Sequence, residues 1–204
     1  MAANRLVRAS ARLLRALGKG DAAIVGGMAV NAYGYLRATR DVDVIVNLPL
    51  AEARRRLEQH GIATTLLRGD VRDGDFSCLK GVLGRPGPMA VPFDILPPLV
   101  PLDPALFVEV LVAGQTLVIV DLPGLLRLKL RAGGVKDLYD IAVLVLLRPE
   151  LRTDVDSLAA DKPVELGRLR TMMADPRTHD AVAEIRRQES ATRRPARPRA
   201  RRKG

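Results

Sequence analysis

Tryptophan is absent from this 204-residue chain, and aromatic residues together make up only 3% of it. Any core built here must therefore be aliphatic. A single cysteine, Cys78, excludes an internal disulfide and suits a reducing cytosol. The two histidines, His60 and His179, stand far apart with no cysteine or histidine at ligand spacing, which argues against a zinc site. No apolar run approaches the ~20 residues that span a bilayer. The expectation is a soluble, cytoplasmic protein with no membrane partner. Two nucleotide-binding signatures are also missing: no G-x-G-x-x-G follows a strand, and there is no G-x-x-x-x-G-K-[ST] loop.

The apolar content of 48% is enough for a sizeable core, and the length suits one domain with a small appendage. The formal charge of +10 is unevenly spread. Seven basic residues lie between Arg193 and Lys203 with no acid among them, leaving 26 basic against 23 acidic residues in 1–192. This tail cannot bury apolar surface, so disorder is expected. It could contact RNA or DNA through phosphate attraction, or serve only as a solubilising tail. The N-terminal stretch is Arg-rich and acid-free, as a presequence is. Arg5, Arg8, Arg12 and Arg15 also form one stripe opposite Leu6, Leu13 and Leu17, and we read a folded first helix ending near Gly18.

Strands and interspersed helices come first. Ala22–Val25 reads as a buried strand, followed by a Gly26-Gly27 turn and a short helix over residues 28–36. Asp41–Val46 is β-branched and reads as the next strand. Residues 50–60 read as a helix stopped by Gly61, and 76–83 and 89–96 as two strands around a Gly-Pro turn. Residues 106–121 suggest a hairpin or helix–strand turning at Gly114-Gln115. Helices alone follow: 122–132 up to Gly133, 136–148, 162–175 and 180–189. This order predicts an α/β (α+β) fold, a small mixed β-sheet flanked by helices with a helical C-terminal part. The expected divisions are a core over 1–121, a helical region over 122–189 and a disordered basic tail over 190–204.

Asp41 and Asp43 carry the chemistry. Two apart on a strand, they share a face while Val42 turns into the core. Like charges so close are best tolerated around a cation, and hard divalent ions take carboxylate oxygens. Such a pair alone is more often a solvated strand end. Here a glycine pair precedes it, and glycine lets a backbone approach a phosphate closely ahead of a helix N-terminus. A third acid, Asp94, sits between Phe93 and Ile95, which would face the core. If its strand lies beside Asp41–Val46, three carboxylates converge. They would form the ligand set for two metals ~3.5–4 Å apart that clamp the attacking and leaving oxygens of a phosphoryl displacement. Asp94 could equally be a strand-end acid before Pro97-Pro98.

These features resemble the nucleotidyltransferase superfamily that includes DNA polymerase beta. Its pattern is a Gly-Gly or Gly-Ser turn, an Asp-x-Asp strand and a third acid on a neighbouring strand. The chain is most similar to small bacterial nucleotidyltransferase-like proteins of abortive-infection and toxin–antitoxin systems. The matching residues are Gly26, Gly27, Arg37, Thr39, Asp41, Asp43, then Lys129, and then Lys136, Asp137 and Asp140. The resemblance covers roughly residues 20–147 and implies transfer of an NMP from an NTP onto an acceptor hydroxyl of RNA, tRNA, protein or a small molecule. It implies two Mg²⁺ ions, with Mn²⁺ as a substitute, on Asp41, Asp43 and Asp94. Lys129 would reach the triphosphate. Gly26, Gly27, Arg37, Thr39, Arg40, Lys136 and Asp137 would line the nucleotide, Asp137 by orienting the lysine or acting near the acceptor; Arg37 and Arg40 could equally balance Asp41 and Asp43, and Thr39 could cap the strand. A cognate partner protein from an adjacent gene is a further implication. Asp140 reads as structural, a weak i,i+4 partner of Lys136. Asn31 could face the nucleotide or solvent, and Tyr33, Tyr35 and Tyr139 read as packing residues. Binding without turnover on the same fold remains the alternative.

Overall fold

A computed structural model describes residues 2–69, 77–85, 87–97 and 103–192. The Arg193–Lys203 tail lies outside the described residues. Helix α1 (Ala2–Leu17) is amphipathic. It buries Leu6, Val7, Leu13 and Leu17, while Arg8 and Arg12 are exposed. The chain continues through β1 (Ala22–Ile24), α2 (Gly26–Ala32), β2 (Val42–Val46) and α3 (Leu50–Gln59). Then come β3 (Thr64–Leu67), β4 (Cys78–Leu83), β5 (Val91–Leu96), β6 (Phe107–Val112) and β7 (Gln115–Val120). Helices α4 (Leu122–Ala132), α5 (Val135–Leu147), α6 (Arg152–Leu158), α7 (Pro163–Ala174) and α8 (Pro176–Thr192) complete it. The mixed sheet flanked by helices, with helices alone at the C-terminal end, is as the sequence predicts.

The seven strands form one sheet in the order β3-β4-β5-β2-β1-β7-β6. Its centre, β1 and β2, is short and almost wholly buried, as strands covered on both faces must be, with small residues in β1 and β-branched ones around Asp43 in β2. β2 runs antiparallel to β1 but parallel to β5, and β1 runs parallel to β7. The parallel pairing with β5 decides the site. It sets Asp43 directly beside Asp94.

Several expectations shift. Gly26 and Gly27 open α2 rather than preceding it, and the helix ends at Ala32. The hairpin between β6 and β7 turns at Ala113-Gly114, one residue earlier than expected. Both turn residues have positive φ, 47° and 76°, as a two-residue type I′ connection demands. The edge strand β3 was not anticipated, because "TTLL" lacks alternation and is mostly exposed. Nor was α6, whose buried side is Val155 alone. The helix over residues 136–148 is confirmed as α5. It is apolar along nearly its whole length because α4, α7 and α8 all pack on it. Among the described residues, no helix is long and apolar enough to cross a membrane.

Candidate nucleotide and metal site

Asp43 lies at the centre of the sheet on β2, with Asp94 in register on β5 and the start of α2 on its other side, where the Val25 N–H donates to the Asp43 carbonyl at 2.9 Å. Asp41 sits one residue before β2, not in it, and is exposed. Its carboxylate accepts from the Thr39 hydroxyl at 2.9 Å. Burial, then the Asp41 charge, then Asp94 push the Asp43 carboxyl up to about 6, while Lys129 and Lys136 pull it down. Asp43 is thus within electrostatic reach of both other carboxylates and of two lysines.

A cavity of about 240 Å³ opens beside Asp43. Gly26, Lys129 and Asp137 share its lining, and Ile45, Leu96, Leu125 and Leu128 form an apolar wall. Its polar side chains, Asp43, Lys129 and Asp137, come from three separate elements, so chain crossovers alone assemble it.

Gly26 is fixed by geometry. Its φ is +60°, and a Cβ there would lie 1.9 Å from Asp43 Oδ2. Gly27 is as tight: a Cβ would sit 2.7 Å from Thr39 Oγ1 and 3.2 Å from an Arg37 nitrogen. The glycine pair therefore lets the start of α2 press against both the carboxylate strand and the segment leading into it. Gly26→Ala should push Asp43 aside and hold a non-glycine residue at positive φ. The strain is about 1–3 kcal/mol, a fall in Tm of roughly 2–12 °C by calorimetry.

Lys129 is 5% exposed in its side chain and holds Asp137 at 2.8 Å and Asp140 at 2.7 Å. Arg37, 12% exposed, donates through Nη2 to Asp140 Oδ2 at 2.8 Å. Its Nε lies 2.7 Å from Oδ1, close enough for charge attraction but without hydrogen-bond alignment. Asp140 is fully buried. The expected pairing of Lys136 with Asp140 is therefore not made: the Asp140 carboxylate points inward to two other cations. Arg37 is correspondingly tied to Asp140 rather than free for a phosphate. Asn31 is half-buried and its amide is engaged within the chain. Its side-chain amide brackets the Arg37 backbone, donating to the carbonyl and accepting from the N–H, each at 3.0 Å.

Arg40 is exposed and makes no ion pair among the described residues, and Lys136 is exposed beside Asp43. Tyr33 donates to the Val120 carbonyl at 2.9 Å, and Tyr35 and Tyr139 pack edge-to-face with centroids 6.3 Å apart. These tyrosines are packing residues, as read.

Lys80 escaped the sequence reading. It lies opposite Asp94 on β4, and its ammonium bonds Asp94 Oδ2. Only the register of β4 on β5 brings it there. With Asp94 on Lys80 and Asp41 on Thr39, the described residues contain no finished cage of three metal-ligating side chains. The donor set nonetheless fits a hard divalent ion. Asp43 and Asp94 stand side by side in register, and a bound cation would offset both the burial of the Asp43 charge and the smaller repulsion from Asp41 and Asp94 that push its carboxyl up.

No protein-family model matches the chain, and no curated protein matches it significantly. Solved structures do. One is an antigenic nucleotidyltransferase-like protein from Paracoccidioides brasiliensis, 18% identical, with a TM-score of 0.52 over 83% of this chain and 94% of that one. Another is JHP933 from Helicobacter pylori, 14% identical, with a TM-score of 0.42 over 91% and 96%. The first likeness shows a shared nucleotidyltransferase-like fold.

Proposed function

We propose that on this nucleotidyltransferase-like fold the chain transfers an NMP from an NTP onto an acceptor hydroxyl and releases pyrophosphate. The observation that carries the reading is the register of Asp43 beside Asp94 at a cavity also lined by Gly26 and Lys129. Asp41, Asp43 and Asp94 would hold Mg²⁺ or Mn²⁺, which when bound neutralises phosphate charge and lowers the cost of an acceptor alkoxide. Gly26 and Gly27 admit the triphosphate close to the backbone. Asp94 accepts the acceptor's proton as its oxygen bonds the α-phosphorus, and the bond to pyrophosphate breaks. Lys129, held by Asp137 and Asp140, would be a fixed donor in the cavity wall rather than a mobile arm, its charge shared with two carboxylates. Arg40 and Lys136, both exposed and without an ion pair among the described residues, would be available to meet phosphate. Catalysis of this kind is positioning and charge neutralisation.

Incubation with each α-labelled NTP, Mg²⁺ and total RNA or cell lysate tests the reading. Label should move to an acceptor, and Asp41→Ala or Asp43→Ala should stop it. No transfer with any NTP overturns it. A finer form makes the protein one half of a bacterial toxin–antitoxin pair, with a cognate partner from the neighbouring gene. Growth arrest on expression, relieved by that partner and absent in Asp43→Ala, is the expected result.

The alternative is nucleotide or RNA binding without turnover. One observation favours it: Asp94 and Lys129 are already ion-paired within the chain. Nucleotide binding that survives Asp94→Ala, with no product in any assay, would select it. The basic tail has its own readout. If it binds RNA, deleting 193–204 should reduce the slope of log affinity against log salt by up to about 5, seven cations at ~0.7 each. An unchanged slope would assign RNA binding to the core.

A further inference from the structure

The candidate site contains two lysines paired to carboxylates, and they differ in how they are held. Lys129 is 5% exposed and shared between Asp137 and Asp140. Moving it would strand a buried charge. Lys80 is 48% exposed and holds Asp94 alone among the described residues. An exposed lysine–carboxylate pair is weak, and the lysine stem is flexible enough to swing into water. Lys80 can therefore leave cheaply, whereas Lys129 cannot.

The register explains why Lys80 is present at all. Thr65, Lys80, Asp94 and Asp43 form one row across β3, β4, β5 and β2. Asp94 thus stands between a cation and another carboxylate. Without Lys80, β4 would present no cation to Asp94, which pairs with it on one side and with Asp43 on the other. We infer that Lys80 is the resident counter-cation of Asp94, which keeps this carboxylate in place while the site is empty and yields it when a divalent ion arrives. The inference rests on the metal-dependent reading above and assigns Lys80 a positioning role. A divalent ion brings two charges where the ammonium brings one, and carboxylate oxygens suit it as ligands. Lys80 accordingly sets the metal concentration at which Asp94 becomes a ligand.

Mn²⁺ titration of the full chain, without nucleotide and followed by the electron paramagnetic resonance of free Mn²⁺, tests this. Lys80→Met removes a competitor and a repelling charge a few ångströms away, so it should bind Mn²⁺ about tenfold more tightly. Lys80→Arg should behave as the unsubstituted chain. In an Asp94→Asn background, Lys80→Met should have a much smaller effect, because the two act on one interaction. Thermal melts of each variant establish that it is folded, and Lys80→Gln serves as a second neutral replacement. Equal or weaker Mn²⁺ binding by both neutral variants, with Asp43→Asn still weakening it, would overturn the role of Lys80 and leave the metal site standing. No Mn²⁺ binding by any form would overturn both.

Discussion

Asp43→Asn is expected to abolish nucleotidyl transfer while making the protein more stable. The loss of activity should be at least about 10³-fold, since a central charged ligand is removed and catalysis of this type rests on charge placement. The gain in stability follows from crowding. Burial and the Asp41 and Asp94 charges raise the Asp43 carboxyl from 3.8 to about 6, so the folded chain holds this proton more tightly than the unfolded one. The stability it contributes is present in full below the ordinary 3.8 and is lost as pH rises through about 6. At neutral pH the ionised group then costs on the order of 3 kcal/mol. Asparagine cannot ionise, so the variant should melt roughly 6–12 °C higher at pH 7 and near the parent at pH 4. Melts of both proteins across pH 4–8, beside a label-transfer assay, read the two effects together. A variant less stable than the parent at pH 7 would show that Asp43 is not under charge strain.

Asp140→Ala should produce the largest loss of stability. Asp140 is fully buried and is the common partner of Lys129 and Arg37, which come from α4 and from the segment before β2. Its removal strands positive charge in a low-dielectric interior, at a cost of about 3–5 kcal/mol. For a chain of this size that is a fall in Tm of roughly 6–20 °C. Arg37→Met should cost less, because Asp140 would keep Lys129. Function should suffer too, since the Arg37–Asp140 pair and the Asn31 amide anchor the segment carrying Thr39 and Asp41. Thermal denaturation of the two variants checks the order. A loss under about 1 kcal/mol for Asp140→Ala would mean that water reaches the network and screens it.

The parts of the candidate site that were legible in the sequence are those with local causes. The glycine pair, the β-branched run around Asp43 and the apolar neighbours of Asp94 each announce a turn or strand within a few residues. α1 and α4 were legible for the same reason: an apolar stripe, and for α4 a stop at Gly133, whose φ is +63°. Where the local pattern is blank the reading failed. β3 is an exposed edge with no alternation, and α6 buries little besides Val155. The misplaced hairpin turn shows the same limit. Gly114 marked it, but a two-residue connection also needs positive φ at Ala113, which an alanine does not advertise.

Lys80 and Asp140 show what lay beyond the sequence. In sequence Lys80 is one lysine on a strand, fourteen residues from Asp94, and only the antiparallel register of β4 on β5 makes them a pair. Asp140 looks like half of a surface i,i+4 pattern with Lys136. Packing of α4 and of the Arg37 segment against α5 turns it into a buried pivot. By itself the sequence determined the class of fold, the aliphatic core and the residue types able to do the chemistry, because propensity, periodicity and side-chain chemistry are local properties. Tertiary structure decided which of those charges face one another and which are already neutralised. An ion pair's partner depends on strand register and burial, and neither exists until the chain has crossed back on itself.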